Sequence, residues 1–594
     1  MTPLEALRTY YGFNSFRPFQ EEIVGSVLSG KDTLALMPTG GGKSLCFQIP
    51  AIVMASLSGD DDDKEMRGGL GLCLVVTPLI ALMKDQVENL RRRDIHAAAI
   101  YTGMSSEKQE QVLDNCQYGP YRFLYVSPER LESESFRRRL GYLPVCLVAV
   151  DEAHCISQWG YDFRPSYLNI SKVRECLSAS PYSGEKVPVL ALTATATPDV
   201  AEDICNRLSV DGEQAKDWKI FRQSFARDNL SYIVRYCSDA ADKAEKTLSL
   251  LRKTVGSAIV YVRNRKRTVE LAAWLIENGV DACFYHAGLD TDTRMQRQQQ
   301  WKDYQPDRPD TTRVIVCTNA FGMGIDKPDV RVVIHFDLPD SPEAYFQEAG
   351  RAGRDGKDAF AILLYAKDDA GKAKKRIKDT YPPLQFVQKV YQSVSDYFVI
   401  GEGSGLGHSF TLHLDDLCRV MRLPVLQTYS ALRLLDNAGL ISFQEEHETQ
   451  ARVRINVPPS VLTTYTLNGD QKDVMQKLMR TYTGIFTDLQ YIHESVSQRL
   501  HETLVSLAQR HIITYLPRTV ANTVTYTQPR QGEIWLPDAV FSERENNYAR
   551  RIKAMTEYAS QTSFCRQQLL LSYFGETDAP VCGKCDVCRQ KEKD

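Results

Sequence analysis

Short apolar runs, rich in β-branched residues, alternate with longer amphipathic stretches through the first 366 residues. The runs have the length expected of buried strands, and the stretches between them have helical spacing. This alternation predicts an α/β fold with two doubly wound parallel-sheet lobes, which meet near Lys219. The predicted strands are 32–37, 72–77, 121–126, 145–150 and 189–192 in the first lobe, and 258–262, 282–285, 314–318 and 332–336 in the second.

Beyond residue 366, helical patterns dominate and strands become fewer. A glycine-rich stretch at 401–407 is typical of a flexible hinge. Two helical patterns, 414–421 and 426–438, are followed by two strand patterns, 440–445 and 452–457. Two helices followed by a hairpin predict a winged-helix-like domain, in which the second helix can enter a groove of DNA.

Residues 484–528 are compatible with a repeat of the same plan. Strand 523–528 is then either a strand-separating wing or an ordinary sheet strand, and we favour the ordinary strand. The predicted domains are lobe 1 over 1–215, lobe 2 over 216–366, a helical linker over 367–404, a winged-helix-like domain over 405–460, a helical region with the second winged-helix-like unit over 461–545, and a cysteine-containing module over 546–594.

Composition is that of an ordinary globular protein, with 43% hydrophobic and 25% charged residues among 594. The net charge of −3 does not mark a nucleic-acid-binding protein, because basic residues occur only in local clusters. No apolar run approaches the ~20 residues that cross a bilayer, and the N-terminus lacks the pattern of a secretory signal. Most of the fifteen cysteines are scattered singly in apolar surroundings, as in a reducing compartment. We therefore expect a cytoplasmic protein with no membrane partner.

A glycine-rich turn at 38–44, Pro-Thr-Gly-Gly-Gly-Lys-Ser, separates the first predicted strand from a helix. Backbone N–H groups in such a turn bind phosphate at the positive end of the helix. Lys43 is expected to neutralise the β- and γ-phosphates of ATP, and Ser44 to ligate Mg²⁺. The nucleotide-binding residues expected in this turn are Thr39, Gly40, Gly41, Gly42, Lys43 and Ser44.

The predicted strand 145–150 ends at two adjacent carboxylates, Asp151 and Glu152, in the sequence Asp-Glu-Ala-His. A strand end holds a charge rigidly. Asp151 is suited to hold Mg²⁺ through its water shell, and Glu152 to deprotonate a water molecule aimed at a phosphate. The alternative is that both acids merely cap the strand.

The segment after the Asp-Glu-Ala-His sequence contains aromatic residues and an arginine, the residue types on which unstacked bases stack. An ATP site and a base-contacting loop would then form one continuous segment. The alternative is that these aromatic residues belong to the core. A hydroxyl at another strand end, that of Thr77, is suited to a phosphate path. The expected DNA-contacting residues are Thr77, His154, Trp159, Tyr161, Phe163 and Arg164.

Near the N-terminus, Phe13, Arg17 and Gln20 combine an aromatic ring, a cation and an amide. Such a set is able to stack on an adenine and hydrogen-bond its edge, since glutamine offers both a donor and an acceptor. The alternative is a hydrophobic staple at a helix start, which we would favour for these residues in isolation.

Lobe 2 carries a polar segment at 347–354, Gln-Glu-Ala-Gly-Arg-Ala-Gly-Arg. Arg351 and Arg354 are predicted at positions i and i+3 on one helix face. Two guanidiniums with little acid nearby suit a transferring γ-phosphoryl group, and Gln347 is expected to help position water. A surface salt-bridge pair is the alternative, which becomes unattractive because the ATP site of lobe 1 lacks an arginine. Asp326, at the end of the stretch 322–326, is assigned to the nucleotide site.

The chain closes with four cysteines: Cys565, Cys582, Cys585 and Cys588. Four thiolates at this spacing suit a tetrahedral zinc site by softness and number. An iron–sulfur cluster is the second interpretation, since similar spacing also serves one. A disulfide is disfavoured in a reducing compartment.

Together these motifs resemble the RecQ family of superfamily 2 helicases. The resemblance covers residues 1 to about 366 closely, and it is most specific in the extended match that follows the Asp-Glu-Ala-His sequence at 151–154. The matching segments are 16–20, 37–50, 151–165, 191–196, 320–326 and 347–356.

The resemblance implies two RecA-like lobes with ATP in the cleft between them. It places Phe13, Arg17 and Gln20 around the adenine, and Arg351 and Arg354 reaching across from lobe 2. Residues 154–165 would resemble the aromatic-rich loop that couples DNA to hydrolysis.

The chain also departs from the family pattern. Tyr161 stands for a histidine, Phe19 for a glycine and Asp326 for an asparagine, and residues 260–265 differ from the usual form. The spacing of the cysteines resembles the RecQ zinc module, but here that module follows the accessory region instead of lobe 2 directly.

We therefore predict an ATP- and Mg²⁺-dependent DNA helicase, with Zn²⁺ as a structural metal. The family implies 3′ to 5′ movement on single-stranded DNA and action on tailed or forked duplexes. Three rivals are an RNA helicase, a nucleic-acid-binding protein with a degenerate motor, and a duplex translocase or strand annealer. Intact Lys43, Glu152 and paired arginines speak against the degenerate motor. The sequence does not identify protein partners.

Overall fold

The computed structural model of the chain describes all residues except 39, 58–70, 102–103, 158–162, 179–186, 211–214, 323–326, 450, 463–464, 483, 488–489, 493–497, 517–518, 539 and 593–594. The chain divides into two compact units. Unit 1 contains residues 1–374 together with 546–594, and unit 2 contains residues 375–545. Within the described part of the chain, no helix combines the length and the apolar character needed to cross a bilayer.

Lobe 1 of unit 1 is a parallel sheet of seven strands in the order β3-β4-β2-β5-β6-β1-β7. Its inner strands are buried on both faces, which requires helices above and below the sheet. The strands are β1 (Thr33–Leu36), β2 (Leu72–Val76), β3 (Ala97–Ile100), β4 (Phe123–Val126), β5 (Val145–Val150), β6 (Val189–Thr193) and β7 (Lys219–Arg222). The helices are α1 (Pro3–Tyr11), α2 (Gln20–Leu28), α3 (Lys43–Leu57), α4 (Ile80–Arg91), α5 (Ser106–Tyr118), α6 (Glu134–Leu140), α7 (Asn169–Ser178) and α8 (Pro198–Leu208).

Lobe 2 is a parallel sheet of six strands in the order β10-β11-β9-β12-β13-β8. Residues 223–229 connect it to β7 of lobe 1. The strands are β8 (Leu230–Cys237), β9 (Ser257–Tyr261), β10 (Ala282–Tyr285), β11 (Val314–Cys317), β12 (Val330–His335) and β13 (Ala359–Ala366). The helices are α9 (Ala240–Lys253), α10 (Arg265–Glu277), α11 (Thr291–Lys302), α12 (Pro342–Ala349) and α13 (Asp369–Thr380).

The two doubly wound parallel-sheet lobes predicted from the sequence are confirmed. Each predicted strand is present to within about two residues at its ends. Four further strands were not predicted: β3, β7, β8 and β13. β3 consists largely of alanine, which has a low preference for strands, and β7 is a short, partly exposed edge strand with a cationic residue at each end.

Unit 2 contains a three-stranded antiparallel sheet in the order β14-β19-β15. Helices α14, α15 and α16 pack with this sheet around one apolar core. The elements of unit 2 are α14 (Leu384–Tyr397), β14 (Ser409–Leu412), α15 (Leu414–Met421), α16 (Val425–Asn437), β15 (Ile441–Thr449), β16 (Arg452–Ile455), α17 (Pro459–Leu462), α18 (Gly469–Thr481), β17 (Gln490–Tyr491), α19 (Gln498–Gln509), β18 (Ile513–Leu516) and β19 (Thr519–Tyr526).

The order α14, β14, α15, α16, β15, β19 is that of a winged helix whose last two strands are separated by an insertion. Ile441 of β15 pairs with Tyr526 of β19, across more than eighty positions of the chain. The insertion has its own core and its own small sheet, β17-β16-β18. A second hydrophobic core therefore lies in the chain between the two wing strands.

The predicted hairpin of strands 440–445 and 452–457 is wrong. Among the described residues, β15 pairs with β19, while β16 pairs with β17 and β18. β15 has nine residues and β19 has eight, so their ladder offers more hydrogen bonds than the four-residue β16 does. A domain boundary at 460 would separate β15 from its partner. Residues of the predicted linker also join this core, including Val387 and Tyr391 of α14.

The chain returns to unit 1 with three helices: α20 (Ser542–Ser560), α21 (Arg566–Tyr573) and α22 (Asp586–Lys591). α21 packs on α12 and on β8 of lobe 2, and α22 also packs on β8. We call residues 546–592 the C-terminal module.

Candidate active site and metal centre

The glycine-rich turn joins β1 to α3, and its backbone requires glycine at two positions. Gly40 has φ +83° and Gly42 has φ +82°, a left-handed conformation that other residues adopt at a cost. A Cβ atom on Gly42 would also lie 2.3 Å from Nε2 of Gln20. Lys43 is the first residue of α3, where the backbone N–H groups have no partner within the helix, and it lines the adjoining cavity. The turn has the form of a phosphate cradle.

Two residues of the predicted adenine set support this turn. Gln20 is 1% exposed, and its Oε1 accepts a hydrogen bond from the backbone N–H of Arg17 at 2.9 Å. Its Nε2 lies 3.3 and 3.2 Å from the carbonyl oxygens of residues 41 and 42, and Nη1 of Arg17 donates to the Gly40 carbonyl at 2.7 Å. Phe13 is 52% exposed. Of the three residues, Phe13 is therefore the one with an open face for a base.

One cavity of about 660 Å³ brings together most of the predicted nucleotide residues. Lobe 2 contributes Pro328 and Arg354 to a wall that otherwise belongs to lobe 1. Thr39 and Asp326 lie outside the described residues. The predicted residues that line the cavity are Phe13, Arg17, Gln20, Gly40, Gly42, Lys43, Ser44, Asp151, Glu152 and Arg354.

Asp151 and Glu152 follow β5, and the backbone of Glu152 is left-handed. Glu152 has φ 49° and ψ 46°, and its N–H lies 3.0 Å from Oδ1 of Asp151. A non-glycine residue in the left-handed region is uncommon and is typical of functional sites. Burial and the neighbouring charge of Glu152 raise the pKa of Asp151 to about 6. A divalent cation would keep this carboxyl ionised, and a hydroxyl with a carboxylate suits Mg²⁺, so Ser44 and Asp151 fit that ion.

A buried network connects these carboxylates to β6. His154 has no exposed surface; its Nδ1 lies 2.9 Å from Oγ1 of Thr193 and 3.4 Å from Oε2 of Glu152. The Thr193 hydroxyl also accepts a hydrogen bond from the N–H of Thr195 at 3.2 Å. The expectation that His154 contacts DNA does not fit this burial. Its place indicates that it orients Glu152.

Thr193→Val removes the hydroxyl of this network with little change in side-chain volume. We expect kcat for ATP hydrolysis to fall about tenfold, because the His154 ring loses its partner and Glu152 loses its position. We also expect a stability loss of roughly 1–3 kcal/mol from the unpaired buried polar group. Steady-state hydrolysis and a thermal scan measure the two effects.

Thr247→Val is the matched control, because this buried threonine of lobe 2 donates only to its own helix, at the carbonyl of Lys243. It should lower stability without lowering kcat. Equal kcat values for the two variants would contradict the role of the network.

The other residues expected to contact DNA lie at different depths. The side chain of Thr77 is buried, with 1% exposed, so a direct contact with a phosphate does not fit its position either. Phe163 and Arg164 are half-buried, and the Arg164 N–H donates to the carbonyl of Cys155 at 2.8 Å. Trp159 and Tyr161 lie outside the described residues.

The arginines of segment 347–354 do not share a helix face as predicted. α12 ends at Ala349, and both arginines lie in the turns that follow, where Gly353 has φ +63°. Arg354 lines the nucleotide cavity, whereas Gln347 and Arg351 line a second one. The glycines after Ala349 are a helix-stop signal that the helical interpretation overlooked.

Sequence reasoning also missed two supporting residues. Gln86 of α4 lines the nucleotide cavity, and its Nε2 lies 3.4 Å from the Ser44 hydroxyl. The Tyr167 hydroxyl donates to the backbone carbonyl of Asp151 at 3.1 Å. A polar residue on the inward face of a helix was the available signal for Gln86, and no short motif marks Tyr167.

The four C-terminal cysteines form one cluster, in which all Sγ atoms lie within 4.8 Å of one another. Backbone N–H groups point at the sulfurs: Cys582 donates to Cys565 Sγ, Cys585 to Cys582 Sγ and Cys588 to Cys585 Sγ, at 3.3 to 3.4 Å. Hydrogen bonding with Cys582 lowers the pKa of Cys565, and the same contact raises that of Cys582. Four thiolates this close require a cation, and four soft ligands fit Zn²⁺.

The C-terminal module holds the connection between the lobes. Glu576 accepts hydrogen bonds from the Phe225 N–H at 2.8 Å and the Ser224 hydroxyl at 2.7 Å, both in residues 223–229. Arg222 donates to the carbonyl of Phe574 at 2.9 Å, and the Phe574 ring lies 5.3 Å from that of Phe225. The module is therefore packed on the connection at 223–229, which we call the interlobe hinge.

Three family models match the chain. DEAD/DEAH box helicase matches residues 17–204, Helicase conserved C-terminal domain matches 242–356, and RecQ zinc-binding matches 534–589. A probable ATP-dependent DNA helicase RecS of Bacillus subtilis is 41% identical over 372 residues, which are 62% of this chain and 68% of the relative. The ATP-dependent DNA helicase RecQ of Synechocystis is 38% identical over 61% of this chain and 70% of its own length.

The chain belongs to the RecQ helicase family. This family is one of ATP-dependent DNA helicases, and the RecQ zinc-binding match contains all four cysteines, so the cluster is a zinc site and not an iron–sulfur site. The RecQ of Haemophilus influenzae, 38% identical, is matched over 67% of this chain but only 59% of its own length.

The fold agrees with RecQ membership. Mss116p bound to ssRNA and AMP-PNP aligns over 74% of this chain and 92% of its own, with a TM-score of 0.50 and 17% identity. The helicase MrfA bound to DNA aligns over 63% and 53%, also with a TM-score of 0.50 and 17% identity. These likenesses show two RecA-like lobes and nothing about substrate.

Phe19 stands where the RecQ family pattern has a glycine. Its φ of 67° suits glycine, so phenylalanine costs roughly 1–2 kcal/mol at this position.

Proposed function

We propose that this protein couples hydrolysis of Mg-ATP to 3′ to 5′ movement along single-stranded DNA and to separation of tailed or forked duplexes, in DNA repair and recombination. One observation carries the proposal: the phosphate turn, both carboxylates and an arginine of lobe 2 line one cavity. A motor needs its hydrolytic groups divided between two bodies, so that nucleotide binding and release move one against the other.

Lys43, Ser44 and Asp151 would hold the nucleotide. Mg²⁺, when bound, supplies positive charge to the β- and γ-phosphate oxygens. Lys43 neutralises the same oxygens from the helix start, and Phe13 stacks on the base. Arg354 approaches Gly40 of the phosphate turn, because its Cγ would lie 3.7 Å from a Cβ on that glycine. This position suits a guanidinium that stabilises charge on the γ-phosphoryl group.

Glu152 would accept the proton of the attacking water. Its side chain is 13% exposed, and in the described part of the chain Oε2 lies 3.4 Å from Nδ1 of His154 without a hydrogen bond of normal geometry. An acceptor in a nearly dry pocket is suited to general-base catalysis. Gln347 and Arg351 line the other cavity, so their contribution to the water and the γ-phosphate requires movement of lobe 2 as the cleft closes.

The test combines two assays. ATP hydrolysis is measured with and without single-stranded DNA, and displacement of a labelled strand is measured on duplexes with a 3′ tail or a 5′ tail. We expect stimulated hydrolysis and displacement that needs ATP and the 3′ tail. Lys43→Ala is the control. It lacks the ammonium that contacts the phosphates, and it is assayed on the same DNA substrates.

The rival functions give different outcomes in the same assays. Stimulated hydrolysis without displacement would replace the helicase by a duplex translocase or annealing protein. Stronger stimulation by RNA than by DNA of the same sequence would replace the DNA substrate by RNA. Absence of ATP hydrolysis in every assay would contradict the proposal that the protein is an ATP-driven motor.

A further inference from the structure

A second cavity of about 370 Å³ lies in unit 1 and shares no lining residue with the nucleotide cavity in the described part of the chain. Three arginines from separate segments reach it: Arg164 after the loop that follows β5, Arg351 after α12, and Arg551 of α20. Tyr548 of α20 lines it too. The C-terminal module therefore contributes a wall to a cavity of the motor.

Each acid that lines this cavity has a polar partner outside the set of lining residues. Asp340 makes a two-point contact with Arg263, whose nitrogens lie 2.6 and 3.0 Å from its oxygens. Glu348 lies 2.9 Å from Nε2 of His335. Three guanidiniums and two carboxylates line the cavity, so its cationic side chains outnumber its anionic ones.

Arg351 is the most deeply buried of the three, with 4% exposed. Its Nε has no hydrogen-bond partner, and no carboxylate lies within 4.0 Å of its guanidinium, among the residues that the structure describes. The guanidinium of Arg351 is in hydrogen-bonding contact with the Tyr261 hydroxyl. A buried cation without an anion is costly, so the site is complete only with an anionic ligand.

We propose that this cavity binds one phosphate group and that the C-terminal module supplies Arg551 to it. Guanidinium forks match phosphate oxygens in pairs, and hydroxyl and amide donors of Ser341, Asn319 and Gln347 line the same space. Two sources carry this chemistry: a backbone phosphate of DNA and a terminal phosphate of ATP. The inference rests on the proposed function, because it assigns a second phosphate site to the same motor.

The position of Arg551 gives the C-terminal module a direct part in the phosphate chemistry of the motor. α20 is held at its end, because the Tyr236 hydroxyl of β8 donates to the Ser560 carbonyl at 2.9 Å. Arg566, fully buried, pairs with Asp586 at 3.0 Å and hydrogen-bonds the Tyr558 carbonyl, which ties α20 to the zinc site. The guanidinium of Arg551 is thus presented by a fixed helix and not by a loop.

Arg551→Ala tests the proposal, with Arg550→Ala as the matched control. Arg550 is exposed and does not line the cavity; its Nη2 lies 3.2 Å from Oδ1 of Asn547. Affinity for single-stranded DNA is measured over a range of salt concentrations, and KM for ATP is measured without DNA. Zinc content and a thermal scan establish that each variant is folded.

A backbone phosphate in the site predicts that Arg551→Ala weakens DNA binding about tenfold and lowers the slope of log affinity against log salt by about 0.7. A nucleotide phosphate predicts a rise of about tenfold in KM for ATP with the salt slope unaltered. Arg551→Lys should restore part of either loss, since it keeps the charge but not the fork.

If folded Arg551→Ala and Arg550→Ala agree within twofold in both measurements, the phosphate site is overturned. That failure is distinct from failure of the proposed function, which is read from DNA-stimulated hydrolysis and strand displacement by the unaltered protein.

Discussion

Glu152→Gln is expected to lower kcat for ATP hydrolysis by about 10²–10⁴-fold while ATP still binds. The amide keeps the size of the side chain but does not accept a proton from water at neutral pH. The left-handed backbone at this residue and the neighbouring His154 hold the side chain in one place, so no other group replaces it easily. Steady-state hydrolysis measures kcat, and binding of a fluorescent ATP analogue measures retention of the nucleotide.

Glu88→Gln is the matched control for this change, because its carboxylate lies on the surface of α4 and pairs only with Arg92 in the same helix. We expect kcat within twofold of the unaltered protein. Normal turnover of ATP by Glu152→Gln would contradict the assignment of Glu152 as the general base.

Cys585→Ser is expected to remove zinc and to release the C-terminal module from the motor. Cys585 is fully buried, and its sulfur accepts hydrogen bonds from the N–H groups of Cys588 and Arg566 at 3.4 and 3.5 Å. A serine oxygen is a poor ligand for zinc beside three thiolates. Because metal binding at a structural site contributes about 10–16 kcal/mol to folding in small domains, the module should unfold when it is lost.

Elemental analysis should show the zinc content of Cys585→Ser falling from one atom per chain toward none, and a thermal scan should show an earlier transition. Cys176→Ser is the control, since this half-buried cysteine lies outside the cluster. Retention of a full equivalent of zinc by Cys585→Ser would contradict its role as a ligand. Iron in the unaltered protein would contradict the metal.

Local chemistry made the nucleotide site predictable from the sequence. The phosphate turn needs glycine at φ values that few other residues adopt, and the acids must follow a buried strand, so both leave a short readable pattern. The parallel sheets were equally readable, because strands buried on both faces appear as continuous apolar runs. These constraints lie within a few residues of the chain.

Contacts between distant segments account for what the sequence did not predict. The pairing of β15 with β19 depends on an insertion that closes on its own core, which no local pattern reports. The burial of His154 depends on β6, and the approach of Arg551 to Arg351 depends on where the C-terminal module packs. The separate directions of Arg351 and Arg354 were readable in principle, from the glycines that end α12.

The hydrogen bonds of Glu576 to the interlobe hinge also bear on the order in which the protein folds. Its hydrogen bond to Ser224 joins residues 352 positions apart, and unit 2 is formed by part of the chain between them. The described strands of each lobe pair with strands of the same lobe, whereas this contact needs the C-terminal module to be present and therefore forms late. The hydrogen bonds of Glu576 to the interlobe hinge would then form only after zinc binds the C-terminal module. Zinc binding would be the last step in the maturation of the motor.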